Sequence, residues 1–329
     1  MAAVLSAGAA KPHADACEPE RERLLADALL GLRQARKTLP CKYFYDATGS
    51  KLFDRICALE EYYPTRTELG ILRTHAPAMA TALGAELLLV EYGSGSSVKT
   101  RLLLDRLSRP VAYVPVDISR EHLMETVWAL RLDYPTLVVE PVCADFNAPF
   151  ALPRLPRADA RRAVYFPGST IGNLSGAGAI ALMAGVARLV GRGGAFLVGV
   201  DLRKDPRVLE RAYDDAEGVT AAFNLNLLAR LNRELDADFE LGQFSHRATW
   251  VESASRIEMH LVSNVAQVVH LDGAEIRFGK GETICTEHSH KYSLESFARL
   301  ARRAGLAVRR VWTDAAQQFS VQYLEVRAR

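Results

Sequence analysis

This chain of 329 residues lacks a strong charge imbalance and lacks a long apolar run. Its 41 Lys and Arg residues against 39 Asp and Glu residues leave a formal net charge of +2. Nucleic acids and anionic membrane surfaces attract strongly basic proteins, so this near-balance gives no sign of either partner. A membrane-spanning helix needs a run of about 18 apolar residues, which the sequence does not contain. We therefore expect a soluble, cytoplasmic protein that binds neither nucleic acid nor membrane.

Cysteine is sparse and has neither CxxC motifs nor metal-binding spacing. An odd and dispersed set of five is typical of reduced thiols in the cytosol: Cys17, Cys41, Cys57, Cys143 and Cys285. Residues 1–20 also lack the basic start of a signal peptide. We predict that they form a flexible tail.

Short apolar runs alternate with helical patterns from about residue 86 onward. A strand that is covered on both faces gives such a continuous apolar run. The alternation indicates an α/β fold with a doubly wound parallel sheet. The predicted strands are 86–91, 111–117, 137–142, 162–166 and 195–200.

The pattern differs before and after this region. The N-terminal part predicts a helix over 22–36 and a turn around Gly49 and Ser50. After residue 203, the sequence predicts helix over 205–235 and then strands within 242–290. The final elements are a helix over 293–303 and a hairpin over 307–313 and 319–326. The interrupted sheet predicts two domains, neither of them continuous in sequence.

Residues suited to a nucleoside follow the predicted parallel strands. The first strand ends in a turn whose Gly93 and Gly95 let the backbone approach a ligand. Asp117 ends the second strand, and its carboxylate can accept from both ribose hydroxyls. Asp145 could accept from an adenine amino group, and Gly168 follows the fourth strand. Because doubly wound sheets bind ligands beyond the carboxyl ends of their strands, we predict a nucleoside site there.

The third glycine of the dinucleotide motif GxGxxG is missing, since Val98 occupies its position. The sequence also has no phosphate-binding Walker lysine motif. Both absences disfavour a dehydrogenase or a nucleotide triphosphatase. S-Adenosylmethionine, an adenosine ligand without phosphates, fits these residues better.

A polar strand near the end of the chain places a carboxylate and a hydroxyl on one face. Glu287 and Ser289 are two residues apart, so they could grip a polar ring together. The alternative is that Glu287 is a solvated strand residue. His288 and His290 lie on the opposite face and resemble two metal ligands. With no third ligand in sequence reach, we expect no metal.

Five motifs together resemble the histidine-specific Nα-methyltransferases. They are YFYD at 43–46, EYYPTR at 61–66, GSTIGN at 168–173, AYDD at 212–215 and TEHS at 286–289. The resemblance extends from about residue 20 to the end, with the motifs in family order. That family uses S-adenosylmethionine to convert L-histidine into its trimethylated betaine, hercynine, the precursor of ergothioneine.

The resemblance implies a role for each matching residue. The implied cofactor-binding residues are Gly93, Lys99, Asp117, Asp145, Phe146 and Gly168. Tyr45 would lie near the substrate amino group. The implied substrate-binding residues are Tyr62 and Asn173 for the carboxylate with help from Tyr213, and Glu287 and Ser289 for the imidazole with Met259 beside it. Tyr92 departs from the family, which commonly has an aliphatic residue there.

Structural roles remain open for several of these residues. The tyrosines could be core aromatics, Asn173 could cap a helix, Lys99 could lie on a surface and Met259 could only pack.

The resemblance also implies a Rossmann-like class I methyltransferase sheet with an antiparallel C-terminal hairpin, formed by residues 68–202 and 291–329. A smaller α+β substrate-binding domain would comprise residues 21–67 and 203–290. We expect a monomer whose partners are L-histidine and its mono- and dimethylated intermediates, with S-adenosyl-L-homocysteine as the leaving product.

Methyl transfer from a sulfonium needs a neutral amine, whereas a free α-amino group is mostly protonated at pH 7. Tyr45, directly or through water, is the candidate that orients the amine and helps to remove its proton. Alignment alone can supply effective molarities of roughly 10⁵–10⁸ M, so a strong general base is not required. Two alternatives are a related enzyme for another amino acid and a non-catalytic S-adenosylmethionine sensor.

Overall fold

The computed structural model describes residues 20–327, except for residues 96, 155, 156 and 158. The flexible tail predicted for residues 1–20 lies outside this part of the chain, apart from Glu20 at the start of the first helix. The helices are α1 Glu20–Leu32, α2 Ala47–Ala58, α3 Tyr63–Leu83, α4 Val98–Leu104, α5 Arg120–Asp133, α6 Gly176–Val190, α7 Pro206–Tyr213, α8 Val219–Leu235 and α9 Leu294–Arg303. Short 3-10 turns are Cys41–Phe44, Thr170–Asn173, Leu241–Gln243 and Glu252–Ala254.

The strands form three sheets among the described residues. They are β1 Lys37–Thr38, β2 Leu87–Tyr92, β3 Ala112–Asp117, β4 Val142–Cys143, β5 Arg161–Phe166, β6 Ala195–Asp201, β7 Phe244–Val251, β8 Arg256–Ser263, β9 Gln267–Leu271, β10 Ala274–Phe278, β11 Thr283–His290, β12 Leu306–Thr313 and β13 Phe319–Val326.

The largest sheet has seven strands in the order β12-β13-β6-β5-β2-β3-β4. The five strands from β6 to β4 are parallel, while β13 runs antiparallel to both β6 and β12. The strand order reverses direction at β2, which is the first strand of this sheet along the chain. It pairs with β3 on one side and with β5 on the other. In such sheets this switch point is where a ligand crevice opens.

Both faces of this sheet are buried, which explains the continuous apolar runs. Leu87, Leu89 and Tyr113 pack on one side with residues of α3, α4 and α5. Leu88 and Val90 pack on the other side with residues of α6 and α9. Because neighbouring strand residues point to opposite faces, every side chain of such a strand must be apolar or have its polar groups hydrogen-bonded.

A separate four-stranded sheet has the order β1-β11-β8-β7. Strand β1 runs parallel to β11, and β8 is antiparallel to both β11 and β7. The inner face of this sheet packs on α8 and on aromatic residues from the N-terminal segment. This third core therefore joins residues 24–63 with residues 209–284.

Most predicted elements are confirmed, including the parallel strands, the insertion strands and the C-terminal hairpin. The third strand is shorter than predicted, because only Val142–Cys143 pair with β3 and Val139 forms an isolated bridge. The turn predicted at Gly49 and Ser50 is wrong, since both lie in α2. A Cβ at Gly49 would lie 1.7 Å from the Phe44 carbonyl oxygen, so close packing and not a turn requires this glycine.

Two further expectations concern membranes and thiols. None of the helices within the described residues is long and apolar enough to cross a membrane. Cys41, Cys57 and Cys285 are free thiols, as expected. Cys143 is disulfide-bonded, so the expectation of reduced thiols is wrong at that position.

Gly199 on β6 provides a test of how tightly the sheet packs on α3. A Cβ there would lie 2.4 Å from Glu68 Oε1 and 3.1 Å from Phe319 Cζ. We expect Gly199→Ala to lower the free energy of unfolding by about 2 kcal/mol, because neither buried neighbour can move freely. The measurement is the midpoint of urea unfolding.

Gly185→Ala on α6 is the matched control, because its Cβ would come no nearer than 3.8 Å to another side chain. Alanine should stabilise this helical position by up to about 1 kcal/mol. Equal midpoints for the two variants would contradict the proposed packing.

Candidate active site

A cavity of about 470 Å³ lies at the carboxyl ends of β2, β3, β4 and β5. It is lined by all six residues predicted to bind the cofactor: Gly93, Lys99, Asp117, Asp145, Phe146 and Gly168. Their convergence follows from the parallel sheet, which brings the ends of four separate strands to one edge.

The glycine turn after β2 holds the Asp117 carboxylate in place. Gly93 and Gly95 have φ angles of 69° and 47°, a region that side chains rarely adopt. The Gly95 backbone N–H donates to Asp117 Oδ2 at 3.3 Å, and that of Ser119 donates to Oδ1 at 3.0 Å. The carboxylate is thus fixed at the cavity wall with lone pairs left for a ligand.

A stacked aromatic pair lies beside this turn. The rings of Tyr92 and Phe146 are 5.6 Å apart with an interplanar angle of 6°. A Cβ at Gly93 would contact Phe146 at 3.8 Å, so glycine leaves the ring free at the cavity. Tyr92, the departure from the family, therefore supports Phe146 from behind. Next to it, Asp145 forms an ion pair with Lys42 at 3.7 Å.

Lys99 is not a free surface lysine. Its ammonium pairs with Glu68 Oε2 at 2.6 Å, and Glu68 is completely buried. The same carboxylate accepts from the Gly168 backbone N–H at 2.9 Å. Glu68 thus connects two predicted cofactor residues, and it was not predicted from the sequence. The only signal was an acidic residue within the apolar pattern of α3.

Glu91 is a second buried carboxylate that was not predicted from the sequence. It is the penultimate residue of β2, lines the cavity and accepts from the Thr100 and Tyr113 hydroxyls. Burial raises the pKa of Glu91 to about 8, partly opposed by these hydrogen bonds. It is therefore mostly protonated at pH 7 and adds little negative charge to the cavity.

A smaller cavity of about 40 Å³ adjoins the first one. It is lined by the predicted catalytic residue and all predicted substrate residues: Tyr45, Tyr62, Asn173, Tyr213, Met259, Glu287 and Ser289. Tyr45, Tyr62, Gly168 and Asn173 line both cavities, so the two spaces meet at these residues.

Glu287 and Ser289 reach this cavity together, because they alternate onto one face of β11. A β-bulge between Cys285 and Glu287 shifts the pairing register of β11 with β8. The shift lies just before Glu287 and Ser289. Met259 lies opposite Glu287 on β8 and is buried. The wall of the smaller cavity thus combines a carboxylate, a hydroxyl and an apolar side chain.

A buried lysine orients the hydroxyls of this wall. Lys291 has a fully buried ammonium that donates to the Tyr213 hydroxyl and to Ser289 Oγ, each at 2.8 Å. Its third partner is Asp201 Oδ2 at 2.7 Å, so all three N–H donors are used. Burial alone would lower the pKa of Lys291, but Asp201 raises it above its usual value.

One hydroxyl proton of this group remains for a ligand. The Tyr213 and Ser289 hydroxyls share a hydrogen bond at 2.7 Å, while each already accepts from Lys291. The two hydroxyl groups carry two protons, and only one of these protons is used in the hydrogen bond between Tyr213 and Ser289. When Tyr213 donates to Ser289, the Ser289 proton points to a ligand. The sequence offers Lys291 as one of few lysines but does not predict this role, because its counter-ion Asp201 is remote in the chain.

The Glu287 carboxylate has no hydrogen-bond partner within the described residues. Burial raises the pKa of its carboxyl to about 7, and only the positive charge of Lys291 opposes the rise. An unpartnered carboxylate with a raised pKa in a cavity is typical of a group that awaits a ligand.

The junction of the two cavities is aromatic. Tyr62 packs edge-on against Phe53 at 6.2 Å and against Tyr213 at 6.0 Å. Tyr45 packs edge-on against Phe53 at 5.5 Å. Burial raises the pKa of both Tyr45 and Tyr62 well above its usual value, so their hydroxyls stay neutral.

The 3-10 turn that ends in Asn173 is docked directly on β11. His290 Nδ1 lies 2.8 Å from the Gly172 carbonyl oxygen, and a Cβ at Gly172 would meet the His290 backbone at 2.7 Å. This contact sets Asn173 beside the smaller cavity. His290 is thereby engaged with backbone through Nδ1.

The sheet order, the antiparallel last strand and the polar residues at the strand ends define a class I S-adenosylmethionine-dependent methyltransferase. The sequence agrees with this class in detail. The profile of the family described as "Histidine-specific methyltransferase, SAM-dependent" matches residues 24–326. The chain belongs to this family.

Individual relatives support the same conclusion. The chain is 44% identical to the histidine N-alpha-methyltransferase of Mycolicibacterium smegmatis, over 93% of this chain and 96% of that one. It is 42% identical to the protein of the same name from Mycobacterium tuberculosis, over 91% and 93%. It is 31% identical to ergothioneine biosynthesis protein 1 of Neurospora crassa, over 84% of this chain but only 32% of that protein.

The raised pKa of Glu287 predicts how the stability of the ligand-free protein depends on pH. Its pKa lies at about 7 in the fold against 4.5 ordinarily, so the folded state binds more protons between these values. Stability therefore falls as pH rises from about 4.5 to 7. We expect Glu287→Gln to match the wild type at pH 4 and to exceed its unfolding free energy at pH 8 by on the order of 2 kcal/mol.

Urea unfolding of the ligand-free protein at several pH values measures this difference. Glu295→Gln is the control, because the side chain of Glu295 is 87% exposed. A pH profile for Glu287→Gln that runs parallel to that of the wild type would contradict the assigned pKa.

Proposed function

We propose that this protein transfers three methyl groups from S-adenosylmethionine to the α-amino group of L-histidine, forming hercynine, the first step of ergothioneine biosynthesis. One observation carries the proposal. An unpartnered carboxylate, Glu287, and an oriented hydroxyl, Ser289, face a small cavity that opens onto the nucleoside-type cavity. The family membership supports the same substrate and methyl donor.

Recognition of the imidazole follows from donors and acceptors. A neutral imidazole has one N–H donor and one nitrogen acceptor. Glu287 accepts from the first, and the Ser289 proton, directed by Lys291 and Tyr213, is donated to the second. A phenylalanine ring would leave both groups unpaired, which can cost on the order of 10⁴-fold in discrimination. Met259 packs on the ring.

The amino and carboxylate groups of histidine would lie at the junction of the cavities. Asn173 and the Tyr62 hydroxyl offer donors to the carboxylate, and Tyr213 assists them. The Tyr45 hydroxyl would bind the amine. These four residues lie at or beside the opening to the larger cavity, where a methyl donor would meet the nitrogen.

The larger cavity suits the nucleoside part of S-adenosylmethionine. Asp117 is positioned for the ribose hydroxyls, and Asp145 with Phe146 for the adenine. Gly93 and Gly168 keep the backbone open by their positive φ angles of 69° and 76°. Lys99, held by Glu68, supplies a positive charge beside Gly168 for the amino acid part of the ligand.

The bound sulfonium supplies an activated methyl group, and the protein contributes alignment. Fixing the amine in line with the methyl group can account for much of the acceleration. Tyr45 acts by accepting a hydrogen bond from the amine and so orienting its lone pair. Its raised pKa keeps this hydroxyl neutral, which favours release of the amine proton through water.

We further propose a division of labour between two domains. Residues 68–202 and 291–329 would bind the cofactor, and residues 21–67 and 203–290 would bind the substrate. The separate cores and separate sheets support this division. Helix α3 continues across residue 67, so the domains would share a rigid connection there.

The product of the reaction provides the direct test. We expect the purified protein, given S-adenosylmethionine and an equimolar mixture of amino acids, to yield histidine heavier by three methyl groups. Mass spectrometry measures both the substrate and the extent of methylation. Methylation of another amino acid would overturn the roles of Glu287 and Ser289. Binding of S-adenosylmethionine without any methylation would indicate a sensor.

Two variants should distinguish ligand binding in the smaller cavity from ligand binding in the larger one. Glu287→Ala should weaken histidine binding about 10- to 100-fold and leave S-adenosylmethionine binding within about threefold, because a buried hydrogen bond to a charged group contributes about 1.5–3 kcal/mol. Asp117→Ala should instead weaken S-adenosylmethionine binding and raise its KM. Isothermal titration calorimetry measures both ligands, and each variant is the control for the other. Equal losses for both ligands in either variant would contradict the assignments.

A further inference from the structure

Three side chains of different chemistry converge on the face of β8 and β11 that points away from the substrate cavity. Glu258, Cys285 and His288 offer ligand atoms that all lie within 4.8 Å of one another. Cys285 Sγ is 3.3 Å from His288 Nε2, and that nitrogen is 3.7 Å from Glu258 Oε1. Around tetrahedral zinc, with bonds of about 2.3 Å to sulfur and about 2.0 Å to nitrogen or oxygen, neighbouring ligand atoms lie roughly 3.3–3.6 Å apart. The Cys285–His288 and His288–Glu258 separations are close to these values.

The β-bulge in β11 creates this cluster. In a regular strand, residues three apart point to opposite faces. The irregularity between Cys285 and Glu287 inserts one residue, so Cys285 lies opposite His260 and His288 lies opposite Glu258 on the same outer face. The bulge that turns Glu287 into the substrate cavity therefore also brings these ligands together.

The neighbouring residues are compatible with metal binding. His260 Nε2 lies 3.1 Å from Glu258 Oε2, and Arg256 donates to Oε1 through Nε at 2.8 Å and also through Nη2. A carboxylate has about four lone-pair sites, so these three contacts leave one site for a cation. Ligating carboxylates are commonly supported by such hydrogen bonds.

His288 is ready to act as a ligand. Its side chain is 34% exposed, which leaves a path for an ion from solvent. His290, by contrast, is engaged with the Gly172 carbonyl.

We propose that Glu258, Cys285 and His288 form a binding site for a divalent cation of the zinc class. A mixed set of sulfur, nitrogen and oxygen selects Zn²⁺ or Co²⁺ over Mg²⁺ and Ca²⁺, which prefer oxygen alone. Water completes the fourth position. Cys285 binds as the thiolate, and its proton is released to solvent. This site is separate from methyl transfer and does not depend on the proposed function.

Co²⁺ is the probe that tests the site, because a tetrahedral cobalt thiolate gives visible d–d bands and a near-ultraviolet charge-transfer band. We expect the full-length protein to bind one Co²⁺ with both signals and to lose them on addition of Zn²⁺. Cys285→Ser should abolish the charge-transfer band. His288→Ala and Glu258→Gln should each weaken Co²⁺ binding at least about tenfold.

Two matched variants control for other thiols and imidazoles. Cys57→Ser and His270→Ala should retain the bands, because neither residue belongs to the cluster. No charge-transfer band in the wild type, or a band that survives Cys285→Ser, would overturn the proposal. Should a variant fail to fold, alkylation of the wild type decides the question. Zn²⁺ should slow the labelling of Cys285 at least about tenfold while leaving Cys57 unchanged, and equal labelling rates would overturn the site.

Discussion

The buried ion pair between Asp201 and Lys291 joins the two sheets of this protein. Asp201 ends β6 of the large sheet, and Lys291 directly follows β11 of the small one. The Tyr292 N–H donates to the Asp201 carbonyl at 3.1 Å, and Leu202 pairs with Tyr292 in an isolated bridge. Removing one partner of such a pair would leave a buried charge uncompensated, which typically costs 3–5 kcal/mol. The relative position of the sheets therefore depends on this contact.

The same ion pair also determines the polarity of the smaller cavity. Burial alone would raise the pKa of Asp201, but Lys291 and Lys204 lower it, so the carboxylate stays ionised. Lys291 then keeps its proton and fixes the hydroxyls of Tyr213 and Ser289. Structural stability and the polarity of the smaller cavity thus share one electrostatic network. A hydroxyl that is held this way loses little rotational freedom when a ligand binds.

Strand β11 has a different chemistry on each face, and its bulge explains both. Glu287 and Ser289 point inward and face the smaller cavity. Few polar groups are buried there, so each one adds to the selectivity for a ligand. Outward, Cys285 and His288 meet Glu258 of β8. Bulges re-aim side chains by inserting one residue, and here a single insertion sets the residues on both sides of the strand.

The sequence by itself determined the features that depend on local periodicity. Continuous apolar runs predicted the parallel strands. Gly93 predicted the turn after β2, which requires a positive φ angle. The two-residue spacing predicted that Glu287 and Ser289 share a face. Helix α2 was missed because Gly49 resembles a turn residue when its contact with Phe44 is unknown.

Only the tertiary structure decided the pairings between distant residues. Glu68 with Lys99 and Asp201 with Lys291 are each remote in the chain. The physical reason is that a buried charge requires a partner but not a particular sequence separation, so its partner becomes known only when the chain is folded.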